Sequence, residues 1–238
     1  MSIDTSGTTG TPKGIVRGHG GTAVCLNYNL DIQQDIQPGD IYFAASDIGW
    51  IVGHSFSIYG PLLRGAGSII YEGKPTNPHP AMHWEVCDKY NVKGMYSSPT
   101  AMRSIKKEDY DGKITRSYKL QNLQSIAIAG ERCDPDTVNW ILKNTPDHVD
   151  FMDNWWQTEV GYPICSSHIH HYNFPIKPGS TSVPNFGYDV RIFNEANEEV
   201  PRGTPGKIVI KLPLPPTFMN GLWGGGELQE KFVEKYLA

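Results

Sequence analysis

Five short stretches that read as strands, at 41–45, 68–71, 92–96, 125–129 and 149–153, recur between stretches that read as helices or loops. This alternation restricts the fold more than any other feature of the chain. Strands that alternate with helices imply a mostly parallel sheet with helices on its faces. Thr22 to Ile32, Ala81 to Tyr90, Pro99 to Ile105 and Pro135 to Lys143 read as the covering helices, the last with Asp134 as its N-cap. Asp47 to His54 reads as a loop entering a helix that runs to Leu63, and the charged stretch Lys106 to Lys119 as an exposed loop. The fold class is therefore α/β, a mostly parallel sheet with flanking helices. Near Asn173 the pattern changes. Tyr188 to Phe193, a turn at Asn194–Asn197, and Lys207 to Leu212 read as an antiparallel hairpin, and Glu227 to Tyr236 as an amphipathic helix. The expected division is an α/β unit over 1–172 and a partial, β-barrel-like unit over 173–238.

Open parallel sheets take their ligands outside the carboxyl ends of the strands. Polar and glycine-rich residues sit there: Asp47 and Trp50, Ser97 and Ser98, Gly130 and Glu131, and Asp153 through Glu159. A further stretch stands at the start of the chain, Thr5-Ser6-Gly7-Thr8-Thr9-Gly10-Thr11-Pro12-Lys13-Gly14. Glycine reaches positive φ and admits close approach of backbone to a ligand. Successive N–H groups in such a loop form a concave nest for anionic oxygen. The Ser and Thr hydroxyls add donors and Lys13 a point charge. The product is a phosphate cradle, although neither the Walker A spacing nor G-x-G-x-x-G is present.

At 238 residues the chain can bury a sizeable core. A net charge of −4 makes nucleic acid or an anionic membrane surface an unsuitable partner. Cys25, Cys87, Cys133 and Cys165 are scattered, with no C-x-x-C, which fits a reducing compartment rather than a disulfide framework. With no secretory signal in view, the expected location is the cytoplasm or mitochondrial matrix. His168-Ile169-His170-His171 invites a metal reading, weighed against ordinary surface histidines because no carboxylate adjoins them.

The opening loop resembles the phosphate loop of the adenylate-forming (AMP-binding) enzymes. Asp153-Asn154-Trp155-Trp156-Gln157-Thr158-Glu159, too polar for a core, resembles a stretch of the short-chain acyl-CoA synthetases within that superfamily, closest to the propionyl-CoA and acetyl-CoA synthetases. The resemblance implies cofactors ATP, Mg²⁺ and coenzyme A, and a short-chain carboxylate as substrate. It assigns nucleotide binding to Thr5, Ser6, Gly7, Thr8, Thr9, Gly10 and Lys13, and to Gly130, Glu131 and Arg132 at the adenine. Asp153, Asn154, Trp155 and Gln157 join that set, Thr158 contacts the α-phosphate, and Glu159 binds Mg²⁺; Thr158 and Glu159 are the catalytic pair. Ser98 falls where the family places the pantetheine thiol, though a helix N-cap explains it nearly as well. Trp50, Ile51, Val52, Ala129 and Trp156 would form the acyl pocket. A small Ala129 leaves room for one more methylene and favours propionate over acetate.

Residues that the family uses to hold the ribose and the CoA phosphate, its hinge, and the small C-terminal domain with its lysine do not appear before Ala238. The chain is therefore expected to be a fragment with negligible turnover by itself, and to associate through surface its missing parts would cover. The alternative is a non-catalytic nucleotide-binding or interaction module derived from such an enzyme.

Overall fold

The computed structural model describes residues 2–5, 13–167 and 175–236. In chain order its elements are β1 (Ser2–Thr5), β2 (Lys13–Val16), α1 (His19–Tyr28), β3 (Ile41–Ala44), α2 (Gly60–Arg64), β4 (Gly67–Ile69), α3 (Met82–Lys89), β5 (Val92–Ser97), α4 (Pro99–Glu108), β6 (Ser125–Ile128), α5 (Pro135–Asn144), β7 (Asp150–Asp153), β8 (Cys165–Ser166), β9 (Val183–Pro184), β10 (Asp189–Phe193), β11 (Lys207–Lys211), β12 (Gly221–Leu222) and α6 (Glu227–Tyr236).

The stretches read as strands assemble into a five-stranded sheet of order β4-β3-β5-β6-β7, parallel throughout. The two-residue side-chain period splits each strand between two cores. Phe43, Met95, Ile126, Ile128 and Phe151 face one core with Trp84 of α3, Met102 and Ile105 of α4, and Val138 and Ile141 of α5. Tyr42, Tyr96, Ala127, Ala129 and Met152 face the other, with Leu26 of α1 and Phe56. Asp134 caps α5 by accepting from Thr137 N at 2.8 Å. Helix α1 widens into a π-helical turn at Asn29–Gln33. There Gln34 Nε2 donates to Asn29 Oδ1 at 2.9 Å and Tyr42 OH to Gln34 Oε1 at 2.6 Å, so amides that would be costly to bury alone partner one another.

Two sequence readings need correction. Residues 106–119 are not an exposed loop. Helix α4 continues to Glu108, and Asp109 is buried, accepting from Ile114 N (3.0 Å), Thr115 N (2.7 Å) and Thr115 Oγ1 (2.7 Å). The charged side chains around it concealed a turn organised by one aspartate, over which Trp140 Nε1 donates to Tyr110 O at 3.0 Å. Strand β4 stops at Ile69, because as an edge strand it has a partner on one side only. The hairpin from β10 to β11 forms with Ile192 opposite Ile208, but between them Val200 N first returns to Ile192 O at 2.9 Å.

A small three-stranded antiparallel sheet, of order β1-β2-β12, carries the residues on either side of 6–12. β1 and β2 pair with Thr5 opposite Lys13, and β12 adds to β2 with Leu222 opposite Ile15. Ile15, Met219, Leu222 and Phe232 of α6 form its core. On the outer side of α1 and α2, Val24 (63% exposed) and Leu62 (67%) stand in solvent beside an apolar cavity of about 430 Å³ lined by His19, Leu26, Tyr59 and Leu63. No helix among the described residues is long and apolar enough to cross a membrane.

Candidate active site

The parallel register sets Ser97, Ile128 and Asp153 level at the carboxyl ends of β5, β6 and β7. Ladder bonds carry this edge one residue further, from Ala129 N to Ser97 O (3.3 Å) and from Asn154 N to Ile128 O (2.9 Å). Ala129, Val52 and Trp156 pack into one cluster around Phe56 and Tyr96. The Phe56 ring stacks on Tyr96 with centroids 4.7 Å apart and meets Trp156 edge-on at 6.0 Å. Three of the five pocket candidates are thus brought together. Ile51 is buried outside that cluster, and Trp50 is 69% exposed.

The Asp-Asn pair is buried, contrary to the expectation that so polar a stretch lies outside the core. Asn154 Nδ2 donates to Ile128 O (3.2 Å) and Met152 O (3.3 Å), pinning β6 to β7 beyond the end of their ladder. Asp153 Oδ1 is buried with no hydrogen-bond partner among the described residues, and burial pushes its carboxyl up to about 6. Trp155 is half-buried against Val160, Tyr162 and Ile164, its N donating to Cys165 O at 3.0 Å. Gln157 is exposed, and Thr158 and Glu159 are half-buried.

Gly130 holds φ +106°, and a Cβ there would meet nothing within 4 Å, so its backbone faces open space. The Glu131 carboxylate accepts from the Thr100 hydroxyl and pairs with Arg103 at 2.7 Å; that hydrogen bond first, then the guanidinium, hold it below the usual carboxylate range. What this segment offers a ligand is main chain. Arg132 is exposed. Ser98 caps α4, its Oγ accepting from Ala101 N at 3.2 Å, which bears out the capping explanation.

The Glu159 turn joins the small sheet directly. Met219 N donates to Glu159 O at 2.9 Å, Asn220 N to Val16 O at 2.7 Å, and Trp223 N to Gly14 O at 2.8 Å. Thr5 and Lys13 pair at the far end of the same β1–β2 ladder. Arg17 is buried, and desolvation lowers its pKa to about 10 against the pull of the Glu159 charge, so it is cationic at neutral pH. No sequence pattern singled out Arg17, Phe56 or Tyr96. Ser6, Gly7, Thr8, Thr9, Gly10 and the histidines 168–171 lie outside the described residues. Among the described residues no group of three His, Cys, Asp or Glu side chains could hold a metal ion.

The profile of the family described as AMP-binding enzyme matches residues 3–223. The chain belongs to the AMP-binding enzyme family. It is 42% identical over 219 residues to acyl-CoA synthetase short-chain family member B, mitochondrial, of Dictyostelium discoideum, covering 92% of this chain and 31% of that one. It is 40% identical over 237 residues to the human mitochondrial acyl-CoA synthetase short-chain family member 3, covering 98% and 34%. With the propionate–CoA ligase of Salmonella typhimurium it shares 41% over 234 residues, covering 98% and 36%. The chain thus spans about a third of the length of these relatives. A solved anthranilate CoA ligase in complex with anthranoyl-AMP superposes with a TM-score of 0.78 at 19% identity, covering 98% of this chain and 42% of that one, a likeness of fold.

Proposed function

We propose that the chain carries the nucleotide- and acyl-binding part of an ATP-dependent short-chain acyl-CoA synthetase. The observation that carries the reading is the meeting of Val52, Ala129 and Trp156 at the carboxyl edge of β5–β7, one turn before a Glu159 loop bonded to the small sheet that follows the phosphate loop. In the first half-reaction a carboxylate oxygen of the substrate bonds to the α-phosphorus of ATP, and the bond to pyrophosphate breaks. In the second, the CoA sulfur bonds to the acyl carbon, AMP leaves and the thiol proton is released. Lys13 and the loop from Thr5 to Gly10 hold the phosphates, Thr158 orients the α-phosphate, and Gly130-Glu131-Arg132 with Trp155 flank the adenine. Asp153 and Asn154 stiffen that edge, and Ser98 marks the thiol's approach.

Glu159 is the residue to hold magnesium. A single carboxylate suits an ion that fills its remaining positions with phosphate oxygens and water, and the described donor set contains no rival cluster. When bound, the ion supplies Lewis-acid neutralisation of the phosphate oxygens.

The indole of Trp156 closes the pocket and limits the acyl chain. Ala129 leaves room for the extra methylene of propionate over acetate, worth about 0.8 kcal/mol of burial. The division at 172/173 goes with this reading, as do a cytoplasmic or matrix location and self-association through the exposed apolar face of α1 and α2. Calorimetric titration with ATP·Mg²⁺ tests it. Binding should be observed, and Glu159→Gln should weaken its magnesium-dependent part. Absence of heat from the folded wild-type chain, or unchanged magnesium dependence in the variant, contradicts the assignment.

A further inference from the structure

The stretch from Gly130 to Asp134 joins β6 to α5 and is fixed at both ends. Ala129 N donates to Ser97 O at 3.3 Å where the ladder stops, Cys133 is fully buried in the core, and Asp134 caps α5. Between these anchors Gly130 has φ +106° and open space where a Cβ would stand, so packing at that residue does not set the course of the main chain. The hold comes from the Glu131 side chain, whose two oxygens are both engaged by α4. Oε1 accepts from the Thr100 hydroxyl, and Oε2 pairs with Arg103 Nη2 at 2.7 Å.

Arg103 is the hub of this arrangement. Thr100 and Arg103 lie one turn apart on α4 and so share a face of the helix. Arg103 Nη2 also donates to Thr100 Oγ1 at 3.2 Å, which leaves the threonine proton for Glu131. Nη1 reaches Asp134 Oδ2 at 3.4 Å, while Oδ1 of that carboxylate caps α5. A planar guanidinium can serve three acceptors in fixed directions, which an ammonium on a flexible stem cannot. The Arg103 and Glu131 side chains are 38% and 42% exposed, and ion pairs so exposed add little to stability. The consequence of the network is geometric. We propose that Arg103 is a positioning residue for the nucleotide base: acting through Glu131, it sets the course of the main chain at 130–132. The proposal rests on the ligase reading, which lays the adenine against that main chain. It gives the Glu131 side chain the work of an anchor rather than of a contact to the ligand.

Calorimetric titration of wild type, Arg103→Ala, Glu131→Ala and the double variant with ATP·Mg²⁺ tests it. Without the anchor the segment has to be ordered when the nucleotide binds, and each single variant should lose about tenfold in affinity, the order of fixing one residue's backbone. The double variant should lose no more than either single one, because Arg103 acts through Glu131. Arg103→Lys should recover part of the loss. Asp134→Ala removes the α5 cap and the third partner of Arg103; it should lower Tm and leave the affinity near that of wild type. Without nucleotide, ¹⁵N order parameters at Gly130, Glu131 and Arg132 should fall in Arg103→Ala. Should Arg103→Ala fail to fold, Glu131→Ala and Arg103→Lys decide, and wild-type affinity in both overturns the proposal. Wild-type affinity in Arg103→Ala, losses that multiply in the double variant, or an equal loss in Asp134→Ala overturns it while the ligase reading stands. Absence of ATP binding by the folded wild type refutes that reading and the proposal together.

Discussion

Substituting Gly161 by alanine probes the joint between the Glu159 turn and the small sheet of β1, β2 and β12. Gly161 has φ +84°, and a Cβ there would lie 2.4 Å from Thr217 Oγ1 and 3.2 Å from Arg17 Nε. The left-handed conformation costs an L-residue roughly 1–2 kcal/mol. Thr217 is fully buried, so its hydroxyl has little room to yield, and overpacking of this kind costs about 1–3 kcal/mol more. Gly161→Ala should therefore destabilise by about 2–5 kcal/mol, a fall in Tm of roughly 4–20 °C for a chain of this size. Gly203 supplies the control, since it has φ +90° with nothing within 4 Å of a Cβ, and Gly203→Ala should show the backbone cost alone. Adding Thr217→Ala to the Gly161 variant removes the colliding oxygen and should restore much of the difference, read as a coupling in a double-mutant cycle by thermal and urea unfolding. Equal losses at 161 and 203, or no coupling to Thr217, would refute this packing of the turn against Arg17 and Thr217.

Asp134→Ala should cost about 1 kcal/mol by loss of the α5 cap, measured by urea unfolding. Burial raises the Asp153 carboxyl to about 6 in the fold, so between about pH 4 and 6 the native state holds more protons than the unfolded chain and loses stability as pH rises. Asp153→Asn should therefore stabilise more at pH 7.5 than at pH 4.5, in paired denaturation curves; a pH-independent difference would contradict the burial of an ionisable group there. Ala129→Val should weaken a propionyl-adenylate analogue relative to its acetyl counterpart by about 10- to 200-fold in calorimetry, the range for one methylene in an apolar pocket. A variant that weakens both equally would show that Ala129 does not sense chain length.

The parallel sheet was legible because stretches that read as strands alternate with stretches that read as helices along the first two thirds of the chain. Ser98 and Asp134 could be read as caps because the N-cap depends on local chemistry. The order β4-β3-β5-β6-β7 was not legible, since pairing is decided by packing across the sheet. Asp109 was missed because a buried aspartate that organises a turn looks, in sequence, like one more charge in a charged stretch. The burial of Asp153 and Asn154 was missed for a related reason. Two carbonyls contributed by neighbouring strands satisfy the Asn154 amide, and no local pattern announces them.

The claim that one cleft holds a metal-bound triphosphate between Lys13 and Glu159 can be tested by adding ATP with Mn²⁺ and recording paramagnetic broadening of backbone amides. Broadening centred jointly on Lys13–Gly14 and Thr158–Glu159, and reversed by excess Mg²⁺, is the result the proposed function predicts. Broadening confined to one of these segments, or at neither while ATP binds, would contradict it.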